Sequence, residues 1–312
     1  MPLFENYQRQ VALLVEVIQF VSSEKAFALK GGTAINLFIR DMPRLSVDID
    51  LTYLPIEPRP TSLAAIDAAM RRIATSIRMG LPNTHVTEVT NAREQIVTKL
   101  TVQRHDVQIK IEVTPVLRGC VFEPTVRSVK PSVEDAFGFV EMQVVSFSDL
   151  YAGKIVATLD RQHPRDLFDI RALLANEGID DDLRRAFIVY LISHDRPISE
   201  VLMPRRKDIN QEFAQGFDGM TKEPVALDEL LAARESLIAS VVGNMPAEHK
   251  DFLLGFKRGA PDWKLLNIPG AQELPAVRWK QLNLDKLSNA AREKLVSKLV
   301  DVLRRSEQLT RS

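Results

Sequence analysis

Two acidic residues, Asp48 and Asp50, are separated by a single residue within 45–53, where alternating β-branched residues predict a strand. Side chains alternate across a strand, so both carboxylates are expected on one face. Two such charges repel each other unless a cation lies between them. Mg²⁺ suits a carboxylate pair of this kind, with nucleotide phosphates completing its ligands. The pair predicts a magnesium site, although a half-exposed strand with solvated acids has the same pattern.

A glycine pair, Gly31 and Gly32, stands with Thr33 between a predicted strand at 27–29 and a predicted helix at 34–40. Glycine lets the backbone come close to a ligand, and a helix N-terminus adds partial positive charge. The turn therefore predicts a phosphate cradle. A tight strand-to-helix turn with Thr33 as the N-cap is the alternative.

A third acid, Glu112, lies at the centre of a predicted strand over 106–114 in which apolar and polar residues alternate strictly. It could hold a metal or deprotonate an attacking hydroxyl. Lys110 is expected on the same face, where it could instead neutralise Glu112.

Basic residues follow in the segment 149–171. Lys154 and Arg161 are seven residues apart and share one helical face, where they could hold a triphosphate. Asp166 and Asp169 are neighbours on the surface of the next predicted helix. An ordinary charged helix pair with internal salt bridges is the alternative.

These residues are carried by two halves of different character. Periodicity predicts an α+β fold: an N-terminal α/β domain over 1–147 with a mixed or antiparallel sheet, and a helical domain over 148–312 entered through Ser148. The other elements predicted in the first half are helices at 5–24 and 61–79 and strands at 85–89, 96–104 and 140–147.

Composition excludes several classes of protein. The 312 residues carry 41 basic and 41 acidic side chains, so bulk positive charge does not drive nucleic-acid binding, although a local basic groove remains possible. A single cysteine, Cys120, excludes an intrachain disulfide. The N-terminal residues lack the pattern of a secretion signal, and we expect a cytoplasmic protein with no membrane partner.

The order glycine turn, acidic pair, third acid and basic helix resembles that of polymerase-β-like nucleotidyltransferases, and 14 residues separate Thr33 from Asp48. The segment LKGGTAINLFIRDMPRLSVDIDL is similar to the first motif of the AbiEii/AbiGii toxin family. KIVATLDRQHPRDLFDI resembles that family's lysine-bearing helix and the motif after it. FLLGFKRGAPDWKLLNIPGAQELPAVRWKQLNL resembles its C-terminal segment.

This resemblance implies a bacterial toxin of a toxin–antitoxin or abortive-infection system, a nucleoside triphosphate substrate and a cognate antitoxin. It also implies that the helical domain completes the nucleotide cleft and binds the molecule that accepts the nucleotide. Related members of the MenT group add nucleotides to the 3′ end of tRNA. The resemblance also implies roles for individual residues: Gly31, Gly32 and Thr33 as phosphate contacts, Ser46 near the phosphates, Asp48 and Asp50 as Mg²⁺ ligands, Glu112 as a looser third acid, Lys154 as the triphosphate lysine, and Asp166, or alternatively Asp169, as a supporting acid.

Two basic clusters are candidate acceptor surfaces. One is Arg205-Arg206-Lys207; the other joins Lys257-Arg258 with Arg278 and Lys280 and is interleaved by Trp263 and Trp279. Solvated helix surface with both tryptophans in the core is the alternative. Other functions consistent with the sequence are a nucleotidyltransferase that acts on a protein or small molecule, a non-catalytic nucleotide-binding regulatory protein and, less favoured, an antitoxin with the same fold.

Overall fold

The computed structural model describes residues 2–308, with side chains described for 6–305. The chain divides into two compact units, one ending at Ser146 and the other beginning at Phe147. Across the described part of the chain, no helix is both long and apolar enough to cross a membrane.

The N-terminal unit is built on a seven-stranded mixed sheet with the order β3-β4-β5-β2-β1-β7-β6. Strand β2 is central: it pairs antiparallel with β1 and parallel with β5. This confirms the predicted α+β class and mixed sheet. The strands are β1 (Phe27–Lys30), β2 (Asp48–Tyr53), β3 (Thr84–Thr90), β4 (Val97–Arg104), β5 (Val107–Val113), β6 (Thr125–Ser128) and β7 (Glu141–Val144).

The helices of this unit are α1 (Pro2–Val21), α2 (Gly31–Thr33), α3 (Arg59–Gly80) and α4 (Pro131–Phe137). Helices α1 and α3 contact the sheet strands. The apolar side chains of β2 and β5, Ile49 and Ile111 among them, are fully buried. Burial of that side of each strand leaves the alternate residues, including the acids, on the opposite face. Two of these elements, β6 and α4, are not predicted from the sequence.

Strand β2 is shorter than predicted, because its ladder begins only at Asp48, which pairs with Lys110. Residues 45–47 do not belong to the strand, and the side chains of Arg44 and Ser46 lie close to Gly32. The predicted strand over 45–53 is therefore wrong in its first three residues.

The glycine turn is helical from its first residue. Helix α2 begins at Gly31 and continues as a π-helical turn over Ala34–Ile39, in which the Arg40 N–H donates to the Ile35 carbonyl at 2.7 Å. The alternative in which Thr33 caps the helix with its side chain is wrong, because Thr33 has helical backbone angles and makes no side-chain cap hydrogen bond. The Asn36 side chain donates to the Gly32 carbonyl at 2.7 Å and braces the wider turn.

In its described part, the second unit is built from helices joined by loops. Helix α5 begins at Phe147, so Ser148 lies within its first turn and is not the predicted N-cap. The helices are α5 (Phe147–Arg161), α6 (Pro164–Asn176), α7 (Asp181–Ser193), α8 (Ile198–Leu202), α9 (Asn210–Gly216), α10 (Leu227–Ile238), α11 (Ala247–Arg258), α12 (Pro275–Asp285) and α13 (Asn289–Gln308), with short π or 3₁₀ turns at Ala239–Gly243, Trp263–Leu265 and Ala271–Glu273.

Candidate active site

The candidate site in the N-terminal unit is a row of charged residues across the four adjacent strands β1, β2, β5 and β4. Asp50 on β2 lies directly opposite Lys30 on β1 and Glu112 on β5, and Glu112 lies opposite Lys99 on β4. Residues paired in register share a sheet face. Asp48, two residues from Asp50, shares it too. The sheet thus places the three predicted acids on one face.

The glycine pair lies against this acidic face. Gly31 has φ +75°, and a Cβ added there would collide with the Asp50 carboxylate. A Cβ at Gly32 would lie 2.6 Å from Ser46 Oγ and 2.9 Å from the Arg44 guanidinium. Both positions therefore exclude a side chain, because Asp50, Ser46 and Arg44 occupy that space.

Thr33 joins the glycine turn to β2. Its side chain is fully buried, and its hydroxyl donates to the Asp48 carbonyl at 2.6 Å and lies 3.4 Å from Ser46 Oγ. A buried hydroxyl held in this way stabilises the position of the turn relative to the acidic strand. Any phosphate contact from Thr33 is thus expected through its backbone N–H.

Glu112 forms an ion pair with Lys99, whose Nζ lies 2.7 Å from its carboxylate. The partner anticipated from the sequence was Lys110, which in the sheet lies opposite Asp48. Within residues 2–308, no three His, Cys, Asp or Glu side chains are grouped so as to hold a metal ion by themselves. Asp48, Asp50 and Glu112 share a face, but they do not form such a group.

Lys30 and Arg44 are the residues near the glycine pair that sequence reasoning missed. Burial lowers the pKa of the half-buried Lys30, and the neighbouring Asp50 charge partly opposes that change. Arg44 is buried, and its Nη1 donates to the Leu45 carbonyl at 2.9 Å. Their only signal in the sequence is position: Lys30 precedes the glycine pair, and Arg44 stands two residues before Ser46.

A second set of predicted residues lies in the helical unit. Lys154 Nζ on α5 is 2.9 Å from a carboxylate oxygen of Asp166 and 2.9 Å from one of Asp169. Arg161 also donates to Asp166, at 3.0 Å from Nη2. All but Arg161 are buried, so this is an internal ion network of the kind that the sequence allowed as an alternative.

These charges determine the ionisation of Asp166. Burial alone would raise its pKa, but Lys154 and Arg161 outweigh that effect and hold the pKa well below its usual range. Asp166 is therefore a fixed negative charge at neutral pH. Asp166 and Asp169, the two acids that the sequence left open as candidates, both contact Lys154.

The mixed sheet, its glycine turn and the adjacent Asp-x-Asp strand are features of a nucleotidyltransferase fold. Residues 12–281 match the family model described as the nucleotidyl transferase AbiEii toxin of type IV toxin–antitoxin systems. The chain belongs to this family, and it is a nucleotidyltransferase that uses a nucleoside triphosphate and has a cognate antitoxin.

Comparison with solved structures agrees with the fold. The chain is similar to the nucleotidyltransferase toxin MenT4 from Mycobacterium tuberculosis H37Rv, with a TM-score of 0.58 and 15% sequence identity, over 89% of this chain and 93% of that one. At this identity the likeness supports the fold alone. A search of curated proteins finds no match.

Proposed function

We propose that the protein transfers a nucleoside monophosphate from a nucleoside triphosphate to the 3′ end of tRNA, in a magnesium-dependent reaction that blocks translation. The observation that supports the site most strongly is the contact between the glycine turn and the acids: Asp50 fills the space above Gly31, on the face that also carries Asp48. A phosphate bound by the turn would lie beside those carboxylates.

The donor set fits Mg²⁺. This ion is usually held by one or two carboxylates together with substrate phosphates and water, and seldom by a cage of protein ligands alone. Asp48 and Asp50 supply two carboxylates on one face, with Glu112 as the third predicted ligand opposite Asp50. When bound, Mg²⁺ would neutralise phosphate charge and lower the pKa of the attacking hydroxyl.

The chain's own residues orient the reactants. In the proposed reaction the 3′ hydroxyl oxygen attacks the α-phosphorus, the bond from that phosphorus to the bridging oxygen breaks, and pyrophosphate leaves with the bonding electrons. The hydroxyl proton passes to a carboxylate of the acidic face or to water. The backbone N–H groups of Gly32 and Thr33 and the hydroxyl of Ser46 are the proposed phosphate contacts.

Lys154 is the proposed triphosphate lysine, with Asp166 as its supporting acid, as the resemblance implies. Its ion pairs with Asp166 and Asp169 hold the ammonium in one place. A cytoplasmic location, where nucleoside triphosphates and tRNA are both present, is part of the same proposal.

The test is label transfer. The protein is incubated with each common α-labelled nucleoside triphosphate, total RNA and total protein, with and without Mg²⁺. We expect label on tRNA, loss of label with a chelator, and a loss of roughly 10³-fold in Asp48→Ala. Asp106→Ala is the matched control, because it removes an exposed acid of the same unit that pairs with Arg9.

The outcomes separate the alternatives. Label on protein or a small molecule would replace tRNA as the acceptor. Nucleotide binding without transfer would favour a regulatory binding protein. Full transfer by Asp48→Ala, with the Asp106→Ala control also active, would contradict the proposed site.

A further inference from the structure

We propose that helices α11 and α12 of the helical unit form a binding surface for single-stranded RNA, in which Lys257 and Lys280 hold a backbone phosphate and Trp279 stacks on an unpaired base. This inference rests on the proposed function, since it locates where the RNA acceptor binds. We call the three residues the Trp279 surface.

Lys257 on α11 and Lys280 on α12 lie close enough for their positive charges to interact. Burial lowers the pKa of Lys257, and the nearby Lys280 ammonium lowers it further. Burial also lowers the pKa of Lys280, and the negative charge of the exposed Asp195 partly opposes this change. Among the described residues, neither lysine has a carboxylate within ion-pair distance. A phosphodiester bound between these two partly buried cations would stabilise both charges.

Trp279 provides the stacking platform. Its side chain is 57% exposed, which is unusual for an indole, and the Lys280 ammonium lies 5.4 Å from the ring centroid. An exposed aromatic ring beside basic groups is the arrangement that binds single strands, because every base has a π-face. The exposed Arg278 precedes Trp279 on the same helix and adds positive charge, although Glu273 lies 3.6 Å from it.

The structure distinguishes the Trp279 surface from the other basic cluster. Arg206 is paired with Glu235 at 2.7 Å, and Lys207 Nζ donates to the Asp160 carbonyl at 3.1 Å. Their charges are thus already engaged within the protein. Trp263 is also excluded as a platform, because it packs edge-to-face on the buried Phe252 with ring centroids 5.1 Å apart.

The two tryptophans make a direct test possible. In Trp263→Phe, which keeps an aromatic ring against Phe252, Trp279 is the only indole in the chain. The full chain is titrated with a short unstructured oligoribonucleotide in the absence of nucleoside triphosphate. We expect quenching of Trp279 fluorescence by the single strand and much less by the same sequence in a duplex, where the bases are already stacked.

Affinity measurements then separate charge from stacking. Lys257→Gln/Lys280→Gln should reduce the slope of log K against log salt by about 0.7, since the two lysines together neutralise one phosphate of a single strand. Trp279→Ala should weaken binding by about ten- to a hundredfold, with partial recovery in Trp279→Phe. Lys286→Gln/Lys294→Gln, which removes two exposed charges from the same unit, should leave Trp279 quenching intact.

An unchanged slope in the double lysine variant, or unchanged affinity in Trp279→Ala, would overturn this proposal. Equal quenching by an acidic polypeptide such as polyglutamate would also overturn it, in favour of an acidic protein partner. The titration contains no nucleoside triphosphate, so it is independent of catalysis. RNA binding at the Trp279 surface without nucleotide transfer would contradict only the proposed function. Nucleotide transfer to RNA together with unaltered RNA binding by these variants would contradict only the Trp279 surface.

Discussion

Glu112 lies directly opposite Asp50 on the parallel strand β5, and its carboxylate is paired with Lys99 on the far side at 2.7 Å. One acid of the proposed metal set is thus neutralised by a residue two strands away from β2. Lys99 competes with a cation for Glu112, so this ion pair is expected to regulate metal affinity more than stability. Exposed pairs of this kind contribute about 0–1 kcal/mol to the free energy of unfolding.

Lys99→Gln should therefore lower the Mg²⁺ concentration that gives half-maximal nucleotide transfer, and Glu112→Gln should raise it. Both variants are expected to unfold within about 1 kcal/mol of the wild type. Lys25→Gln, which removes an exposed charge from a loop, controls for net charge. A Mg²⁺ titration of transfer activity measures the effect, and identical half-saturation in all three variants would remove Glu112 from the metal set.

Gly31→Ala is expected to abolish transfer and to destabilise the N-terminal unit by about 1–3 kcal/mol, because it combines a positive φ with a collision against Asp50. Gly219→Ala is a matched control, with the same φ of +75° and nothing within 4 Å of the added Cβ. Chemical denaturation and transfer assays compare the two. Equal transfer activity in Gly31→Ala and Gly219→Ala would show that Gly31 serves only the backbone conformation and not the transfer reaction.

Asp166→Asn should destabilise the helical unit by about 3–5 kcal/mol, because it leaves buried Lys154 with less compensating charge. Both tryptophans belong to this unit, so denaturant unfolding followed by their fluorescence reports on it. Asp182→Asn, which breaks an exposed pair with Arg185, should cost about 1 kcal/mol or less. Comparable losses in both variants would contradict the importance of the buried network.

The same carboxylate predicts an acid-dependent loss of stability. The pKa of Asp166 is depressed in the folded state relative to its ordinary value of 3.8. The stabilisation of the folded state by the ionised Asp166 carboxylate is therefore complete above pH 3.8, and it is lost as the pH falls toward the pKa of Asp166 in the folded state. The wild-type free energy of unfolding should fall more steeply below about pH 4 than that of Asp166→Asn. Parallel pH profiles would show that Asp166 is not the group responsible.

Lys30→Met is expected to stabilise the N-terminal unit while lowering transfer. Burial lowers the pKa of Lys30 because the folded state disfavours its charge, so removal of the ammonium should raise the free energy of unfolding. Lys30→Arg keeps the charge and should retain more activity. Thermal unfolding and transfer assays test both effects, and an unchanged stability in Lys30→Met would contradict this reasoning.

The sequence by itself determined the local features of the site. A period of two requires Asp48 and Asp50 to share one face, and two consecutive glycines before a helical pattern indicate a turn that a ligand can approach. The helical character of the second half follows from periodicity in the same way. These features depend on residues close together in the chain, where backbone geometry alone decides which side chains are neighbours.

Only the tertiary structure decided which distant groups meet. The pairing of Asp50 with Lys30 and Glu112 depends on strand order and register, and Lys99 reaches Glu112 because β4 lies beside β5. The contact of Asp50 with Gly31 arises because β1 and β2 pair in that register. Strand order and register are set by long-range packing of the apolar face, so no local pattern contains them.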